Sequence, residues 1–176
     1  MGNSPSIKPF AYTYGIIMAG YSILVLVLMY VFGLTEQNWY LAVINGIASI
    51  IIFVLGLKAF KKSNGGYLSI KEAIKVGLAI AAISGIITAI YTFIHYTFIY
   101  PEFIDMVREK AYTDMADGGM SNEQMEQAGG VMDVTTSPWF FATVTLISSL
   151  FFGFLISLIA GAIMKKQDPA LNQNIK

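Results

Sequence analysis

The sequence predicts an all-α polytopic membrane protein. We expect four transmembrane helices in a bundle, with a short extracytoplasmic helical hairpin between spans three and four. Of the 176 residues, 56% are hydrophobic and only 12% are charged, whereas a soluble domain carries about 25% charged residues. Four apolar runs of about 20 residues are each long enough to cross a bilayer. They place the spans at 10–32, 39–60, 73–100 and 139–164 of a single domain that covers 1–176.

Composition excludes several classes of function. The formal net charge is zero at pH 7, so nothing favours a nucleic acid as partner. There is no cysteine, which excludes disulfides, thiolate catalysis and cysteine-ligated metal. We predict no catalytic residue, no cofactor and no metal site.

Spans one and two each contain one informative feature. In span one, Ala11, Gly15 and Ala19 form a ridge of small residues at a spacing of four, which favours close helix packing. In span two, Asn45 is the most polar side chain deep in any span. It either contacts a substrate or ion, or makes an interhelical hydrogen bond worth about 1 kcal/mol. We favour the hydrogen bond.

A basic connector joins spans two and three. Its five lysines are Lys58, Lys61, Lys62, Lys71 and Lys75. Ser69 and Glu72 have the spacing of a capping box, so a helix should begin near Ile70. The lysines either bind anionic lipid headgroups or orient the protein in the membrane, and we favour orientation.

Span three divides into two sides. Its β-branched and aromatic side, from Val76 and Ile80 to Ile94 and Phe98, is expected to meet lipid, while the opposite arc of roughly 120° is small and polar. The packing residues on this arc are Gly77, Ala81 and Gly85. Together with span two, it supplies a candidate polar intramembrane face of Asn45, Ser84, Thr88, Tyr91, Thr92 and His95.

The lone histidine, His95, is a functional candidate because ionisable groups in membrane helices are rare. A proton relay or metal site needs partner ligands, and no Asp, Glu or second His lies in any span. We therefore interpret His95 as a histidine at the membrane interface whose hydrogen bonds are satisfied.

Segment 101–138 carries eight acidic and two basic residues, a net charge of −6. We predict two short helices here. The first is stopped by Gly118-Gly119; the second is opened by the capping box of Ser121 and Gln124 and ends at Gly129-Gly130. The first presents a candidate docking stripe of Phe103, Ile104, Val107, Ala111 and Met115.

Span four carries a second ridge at a spacing of four. Its members are Thr145, Ser149, Gly153, Ser157 and Gly161. Such a ridge lets another helix approach closely, and the small residues of span three are its expected partner. A homodimer contact is the competing use. Residues 165–176 form a polar tail.

The lysines predict the orientation. Nine of them fall on the side of the two termini and the basic connector, whereas only Arg108 and Lys110 fall on the other. Because positive residues stay in the cytoplasm, both termini should be cytoplasmic and the acidic segment should lie outside.

Three stretches carry a family resemblance. They are GYLSIKEAIKVG at 66–77, YTFIYPEF at 96–103 and MSNEQME at 120–126, and they accompany a Gly/Ser-rich fourth span that ends in Lys165-Lys166. The chain resembles an uncharacterised family of small four-helix bacterial inner-membrane proteins, a domain-of-unknown-function family. The resemblance implies four spans in a bacterial inner (cytoplasmic) membrane, and it implies no activity and no site residues.

Three functions stay open, and the lipid bilayer is the one partner common to all. The leading hypothesis is a non-enzymatic accessory or interaction module that binds a membrane-protein partner through the stripe. The alternative is a small oligomeric transporter or channel with a polar path along span three. The third is an intramembrane enzyme, although Ser84 and His95 lie about 16 Å apart along one helix and cannot form a dyad there.

Overall fold

A computed structural model of the chain describes residues 5–34 and 39–166. Its helices are α1 (Lys8–Phe32), α2 (Trp39–Ser63), α3 (Ile70–Ile94), α4 (Glu102–Asp117), α5 (Asn122–Thr135) and α6 (Pro138–Met164), and a π-helical segment (His95–Ile99) continues α3. Four of these helices are long and apolar enough to cross a membrane: α1, α2, α6 and α3 with its π-helical extension. The predicted all-helical class with four candidate spans is confirmed. Of the predicted tail, only residues 165 and 166 lie within the described part of the chain.

The helices begin where the sequence predicts. Ser69 and Ser121 each accept a hydrogen bond from the backbone N–H three residues on, and both capping boxes are complete. The predicted end of α5 at Gly129-Gly130 is wrong, since the helix runs on to Thr135. Neither glycine adopts a positive φ, so neither forms the left-handed cap that ends many helices. The α5 helix instead ends where the Thr136 hydroxyl donates to the carbonyl of Met132 at 2.7 Å.

The α3 and α6 helices run antiparallel and pack most closely. Four successive pairs of small residues meet between them: Ala73 with Gly161, Gly77 with Ser157, Ala81 with Gly153, and Gly85 with Ser149. A Cβ atom added at any of these four glycines would overlap or crowd its partner. Because the spacing of four keeps each row on one helix face, the two rows meet over the length of the contact.

The α1 helix packs against the other side of α3. Its buried residues are Ala11, Gly15 and Ala19, and a Cβ atom at Gly15 would lie 2.8 Å from the Cβ of Ile83. This contact corrects the expectation that the β-branched side of α3 meets lipid along its whole length. Val76 and Ile80 are fully buried, because α1 and α2 cover this side near the beginning of α3.

The α2 helix is packed over only half of its length. Its buried residues, Phe53, Gly56, Leu57 and Phe60, all lie in its second half. The first half, from Trp39 to Ile52, contains no buried residue. The α2 helix therefore stands apart from its neighbours toward its beginning and leaves a wedge of space beside α3 and α6.

The lysine-rich end of the four long helices is closed by backbone pairing. Leu68 and Lys166 exchange two backbone hydrogen bonds of 2.9 and 3.0 Å, and Leu68 is fully buried. The Lys61 ammonium donates to the carbonyl of Met164 at 2.6 Å. These bonds tie the α2–α3 connector to the end of α6. A large internal space lies farther toward the acidic segment.

Candidate functional site

A cavity of about 910 Å³ occupies the wedge between α1, α2, α3 and α6. Its polar lining consists of uncharged groups: Ser22, Asn45, Ser49, Ser84, Thr88, Thr92, Tyr96, Thr145, Ser148 and Ser149. The rest of the wall is glycine, aliphatic, methionine and phenylalanine, and no charged side chain of residues 5–34 and 39–166 lines it. This size and mixture are typical of a site for a small, largely apolar ligand.

Aromatic side chains line both ends of the cavity. Phe53, which is 3% exposed, lines the end nearer the lysines. Three rings in mutual contact line the other end. Tyr96 stacks on Phe103 at 4.6 Å between ring centroids, and Phe141 lies 5.5 Å from the first and 5.8 Å from the second.

The cavity opens sideways between α2 and α6. The lining residues on its rim are exposed on both helices: Ala42, Gly46 and Ile50 on α2, and Val144 and Phe152 on α6. These positions lie within the two candidate membrane spans. The opening therefore faces the region that lipid occupies around such helices, so the cavity is a lateral cleft rather than a pore along the helices.

The amide of Asn45 joins α1 to α2. The Tyr21 hydroxyl donates to its Oδ1 at 2.6 Å, and the Ser49 hydroxyl donates to its backbone carbonyl at 2.7 Å. Within the described residues its side-chain nitrogen has no acceptor. The sequence reasoning did not single out Tyr21, although its spacing of seven from Tyr14 places both on one face of α1.

The hydroxyl groups of the cleft fall into two classes. Ser149 donates to the carbonyl of Ala81 at 2.9 Å and so holds α6 to α3, whereas Ser84 donates to the same carbonyl, at 3.2 Å, within α3. Four others make no hydrogen bond to any described residue: Ser22, Thr88, Thr92 and Ser148. The O–H donors of these four residues, with the N–H donors of the Asn45 amide, have no acceptor among the described residues and are available to a ligand.

The structure separates Tyr91 and His95 from the rest of the predicted polar face. Asn45, Ser84, Thr88 and Thr92 line the cleft, whereas Tyr91 and His95 do not. Five of the six residues share one arc of span three in projection, but Tyr91 and His95 pack against each other at 5.7 Å between ring centroids, outside the lining of the cleft.

His95 is 1% exposed and surrounded by aromatic rings. The ring centroids of Tyr96, Tyr30, Tyr91 and Tyr100 lie 5.2, 5.6, 5.7 and 6.4 Å from its own. Neither Nδ1 nor Nε2 has a hydrogen-bond partner among the described residues. The expectation of a satisfied interfacial histidine is therefore corrected. Tertiary packing surrounds the imidazole with phenol rings whose hydroxyls do not bond it.

A second cavity of about 340 Å³ adjoins His95. Its remaining lining residues are Leu26, Met29, Tyr30, Gly33, Leu34, Tyr96, Tyr100, Phe103, Met106 and Lys110. Four of them, Leu26, Met29, Tyr96 and Phe103, also line the large cleft. The two spaces therefore share part of their lining.

The predicted docking stripe faces largely into the molecule. Phe103 takes part in the ring cluster, and Ile104 is only 9% exposed. Val107, Ala111 and Met115 are half-buried. The stripe is not an open surface, because α4 folds back over the end of α3 and uses its apolar side to cover the ring cluster.

The described residues contain no cluster of three or more His, Cys, Asp or Glu side chains able to hold a metal ion. A comparison with family models matches residues 13–166 to a family described as a protein of unknown function, DUF4199. No curated protein and no solved structure matches the chain. Because the match covers most of the sequence, the chain belongs to the DUF4199 family.

Proposed function

We propose that this integral membrane protein is a non-enzymatic binding protein that takes an uncharged amphipathic molecule from the bilayer into its lateral cleft. The observation that supports this is the cleft itself, which is about 910 Å³ in volume, has aromatic rings at both ends and has exposed lining residues on α2 and α6. A ligand that enters from this side comes from lipid, not from water.

The lining chemistry favours an uncharged ligand. A buried charge costs several kcal/mol unless an opposite charge compensates it, and the cleft offers none. The free hydroxyls of Thr88, Thr92 and Ser148 are suited to an alcohol, ester or carbonyl group. The surrounding apolar wall is suited to a hydrocarbon chain.

The geometry gives less support to the other functions. A channel needs a continuous path, and Phe53 and the ring cluster stand at the two ends of this one. An intramembrane enzyme needs a nucleophile beside a base. Ser84 is bonded to a backbone carbonyl and to Ser149, and His95 lies outside the cleft. Uptake and release through the side opening fit a carrier or a store equally well.

The accessory role stays a prediction. It requires the stripe on α4 to bind a membrane-protein partner or a second copy, and two of its residues are used within the chain. Partners that co-purify with wild type and persist after Phe103→Asp and Val107→Asp would contradict it.

We also propose that the membrane is the bacterial inner membrane, with both termini in the cytoplasm and the acidic segment outside. The distribution of lysines supports this orientation, and the family resemblance supports this membrane.

Two adjacent residues on α6 provide a matched test of ligand binding. Ser148 lines the cleft, whereas Ile147 is 60% exposed on the lipid-facing side. The probe is 1-dodecanol that carries a photoreactive diazirine, applied to the protein in liposomes, with the labelled residues mapped by mass spectrometry. Ser148→Phe fills the cleft and should reduce labelling of α3 about tenfold, equivalent to about 1.4 kcal/mol.

The Ile147→Phe variant adds a ring outside the cleft and should leave that labelling unchanged. Equal labelling of α3 in both variants, or labelling confined to lipid-facing residues in wild type, would refute the proposed function.

A further inference from the structure

His95 is the one described histidine. Packing alone does not explain why its imidazole is buried without a hydrogen-bond partner among the described residues. Among the described residues, neither buried ring nitrogen has a hydrogen-bond partner. A buried polar group without a partner typically costs about 1–3 kcal/mol, so each one in a native structure calls for an explanation, and a bound ligand is one. The residue also begins a π-helical segment, and such segments occur frequently at functional sites.

We propose that the cavity beside His95 binds the headgroup of a quinone- or phenol-type molecule whose apolar tail occupies the large cleft. The inference rests on the proposed function, because the tail requires the cleft, and it adds the chemical class of the ligand. Tyr96 and Phe103 line both spaces, so a molecule that extends from one into the other has to turn this stacked pair of rings aside.

The walls of the small cavity favour a planar headgroup. Tyr30, Tyr96, Tyr100 and Phe103 line it, and aromatic rings pack favourably against one another in offset or edge-on arrangements. Its volume of about 340 Å³ lies at the lower end of the range for small-ligand sites. One substituted ring fits that size better than a branched headgroup.

The hydrogen-bonding capacity of His95 matches a ring carbonyl or hydroxyl. A neutral imidazole has one N–H donor and one acceptor nitrogen. It can therefore donate to a quinone carbonyl or accept from a phenol hydroxyl. Either bond would remove part of the cost of the unpaired nitrogens.

The charges near the cavity disfavour a phospholipid headgroup. Within the part of the chain that the structure describes, Lys110 is the one charged residue in the lining, and its ammonium is paired with Asp114 at 3.1 Å. The surrounding segment carries a net charge of −6, which repels a phosphate. An uncharged ring meets neither obstacle.

The aromatic rings cover the His95 nitrogens, so binding requires one ring to turn aside. Tyr30 is best placed to do so, because it is 43% exposed and contacts His95 edge-on at 5.6 Å. It also lines the cavity. Rotation of this side chain would open the imidazole toward the ligand at small cost in packing.

The test is displacement of the photoreactive dodecanol by decylubiquinone in liposomes, with unlabelled 1-dodecanol as the competitor that has no ring. In wild type, decylubiquinone should displace the label at a lower concentration than dodecanol. His95→Phe keeps a ring but removes the hydrogen bond. It should raise the concentration of decylubiquinone that displaces half of the label about tenfold. The corresponding concentration of dodecanol should not change.

A matched control lies on the same π-helical segment. Phe98 is 74% exposed. Decylubiquinone should displace the label from Phe98→Leu at the same concentration as from wild type. Two results would overturn the inference and leave the cleft proposal standing. One is equal displacement of the label by both competitors. The other is a half-displacing concentration of decylubiquinone that His95→Phe leaves unchanged. Failure of the Ser148→Phe test refutes both.

A second measurement needs no variant. The carbonyl stretching band of decylubiquinone should shift to lower wavenumber in liposomes that contain the wild-type protein, because a hydrogen bond weakens the C=O bond. A band identical to that in protein-free liposomes would overturn the inference even if His95→Phe fails to fold.

Discussion

The contact between α3 and α6 gives the most direct quantitative prediction. A Cβ atom at Gly153 would overlap the Cβ of Ala81 and lie 3.2 Å from the Cζ of Phe53, whereas carbon atoms pack best at about 3.5–4.0 Å. Gly153→Ala therefore forces the two helices apart. Overpacking of this kind costs about 1–3 kcal/mol of unfolding free energy.

The matched control is Gly20→Ala on α1, where an added Cβ atom meets nothing within 4 Å. Both variants gain about 1 kcal/mol of helix propensity, so that gain cancels when they are compared. We expect Gly153→Ala to be less stable than Gly20→Ala by about 1–3 kcal/mol. The assay is equilibrium unfolding in mixed micelles, with increasing mole fraction of sodium dodecyl sulfate.

A compensating variant sharpens the test. Ala81→Gly combined with Gly153→Ala moves the methyl group from α3 to α6. The combined amino-acid composition of the two helices stays the same. The double variant should recover most of the lost stability. Equal stability of Gly153→Ala and Gly20→Ala, or no recovery in the double variant, would refute the close-packed register described for these helices.

Three further predictions concern single interactions and the orientation. Tyr21→Phe removes the 2.6 Å hydrogen bond to Asn45 and should lower the unfolding free energy by about 0.6–1 kcal/mol in the same assay. Ser69→Ala removes the capping box of α3 and should cost about 1 kcal/mol, with faster hydrogen exchange in the first turn. Because the chain has no cysteine, Asp117→Cys and Lys62→Cys report orientation, and an impermeant maleimide should label only Asp117→Cys in intact cells.

Each of these predictions has its own control. Tyr12 is 59% exposed on the same helix as Tyr21, so Tyr12→Phe should leave stability unchanged; a matching loss would contradict the role of the hydroxyl bond. Ser121→Ala removes the equivalent capping box from α5 and should leave exchange in α3 as it was. Labelling of Lys62→Cys but not Asp117→Cys in intact cells would reverse the proposed orientation.

Local features were predictable where the physical cause is local. The capping boxes at Ser69 and Ser121 depend on side chains three residues apart, and both occur as expected. The four candidate spans depend only on length and apolar composition. Gly129-Gly130 shows the limit of local reasoning, because a glycine pair permits a helix to end but does not force it to.

The small-residue rows illustrate an intermediate case. The spacing of four identifies one face of α3 and one face of α6 from sequence alone. It does not say which residue lies opposite which. That register follows from contacts such as Gly77 with Ser157, between residues far apart in the chain.

The sequence by itself determined an uncharged, hydroxyl-bearing interior and four apolar helices, because residue type and helical periodicity are properties of each segment. Only the tertiary structure decided that α2 diverges to form a cleft, that Phe103 turns inward, and that His95 is enclosed by tyrosine rings. Those outcomes depend on how side chains from separate helices fill the same space. Periodicity within one helix carries no information about that packing.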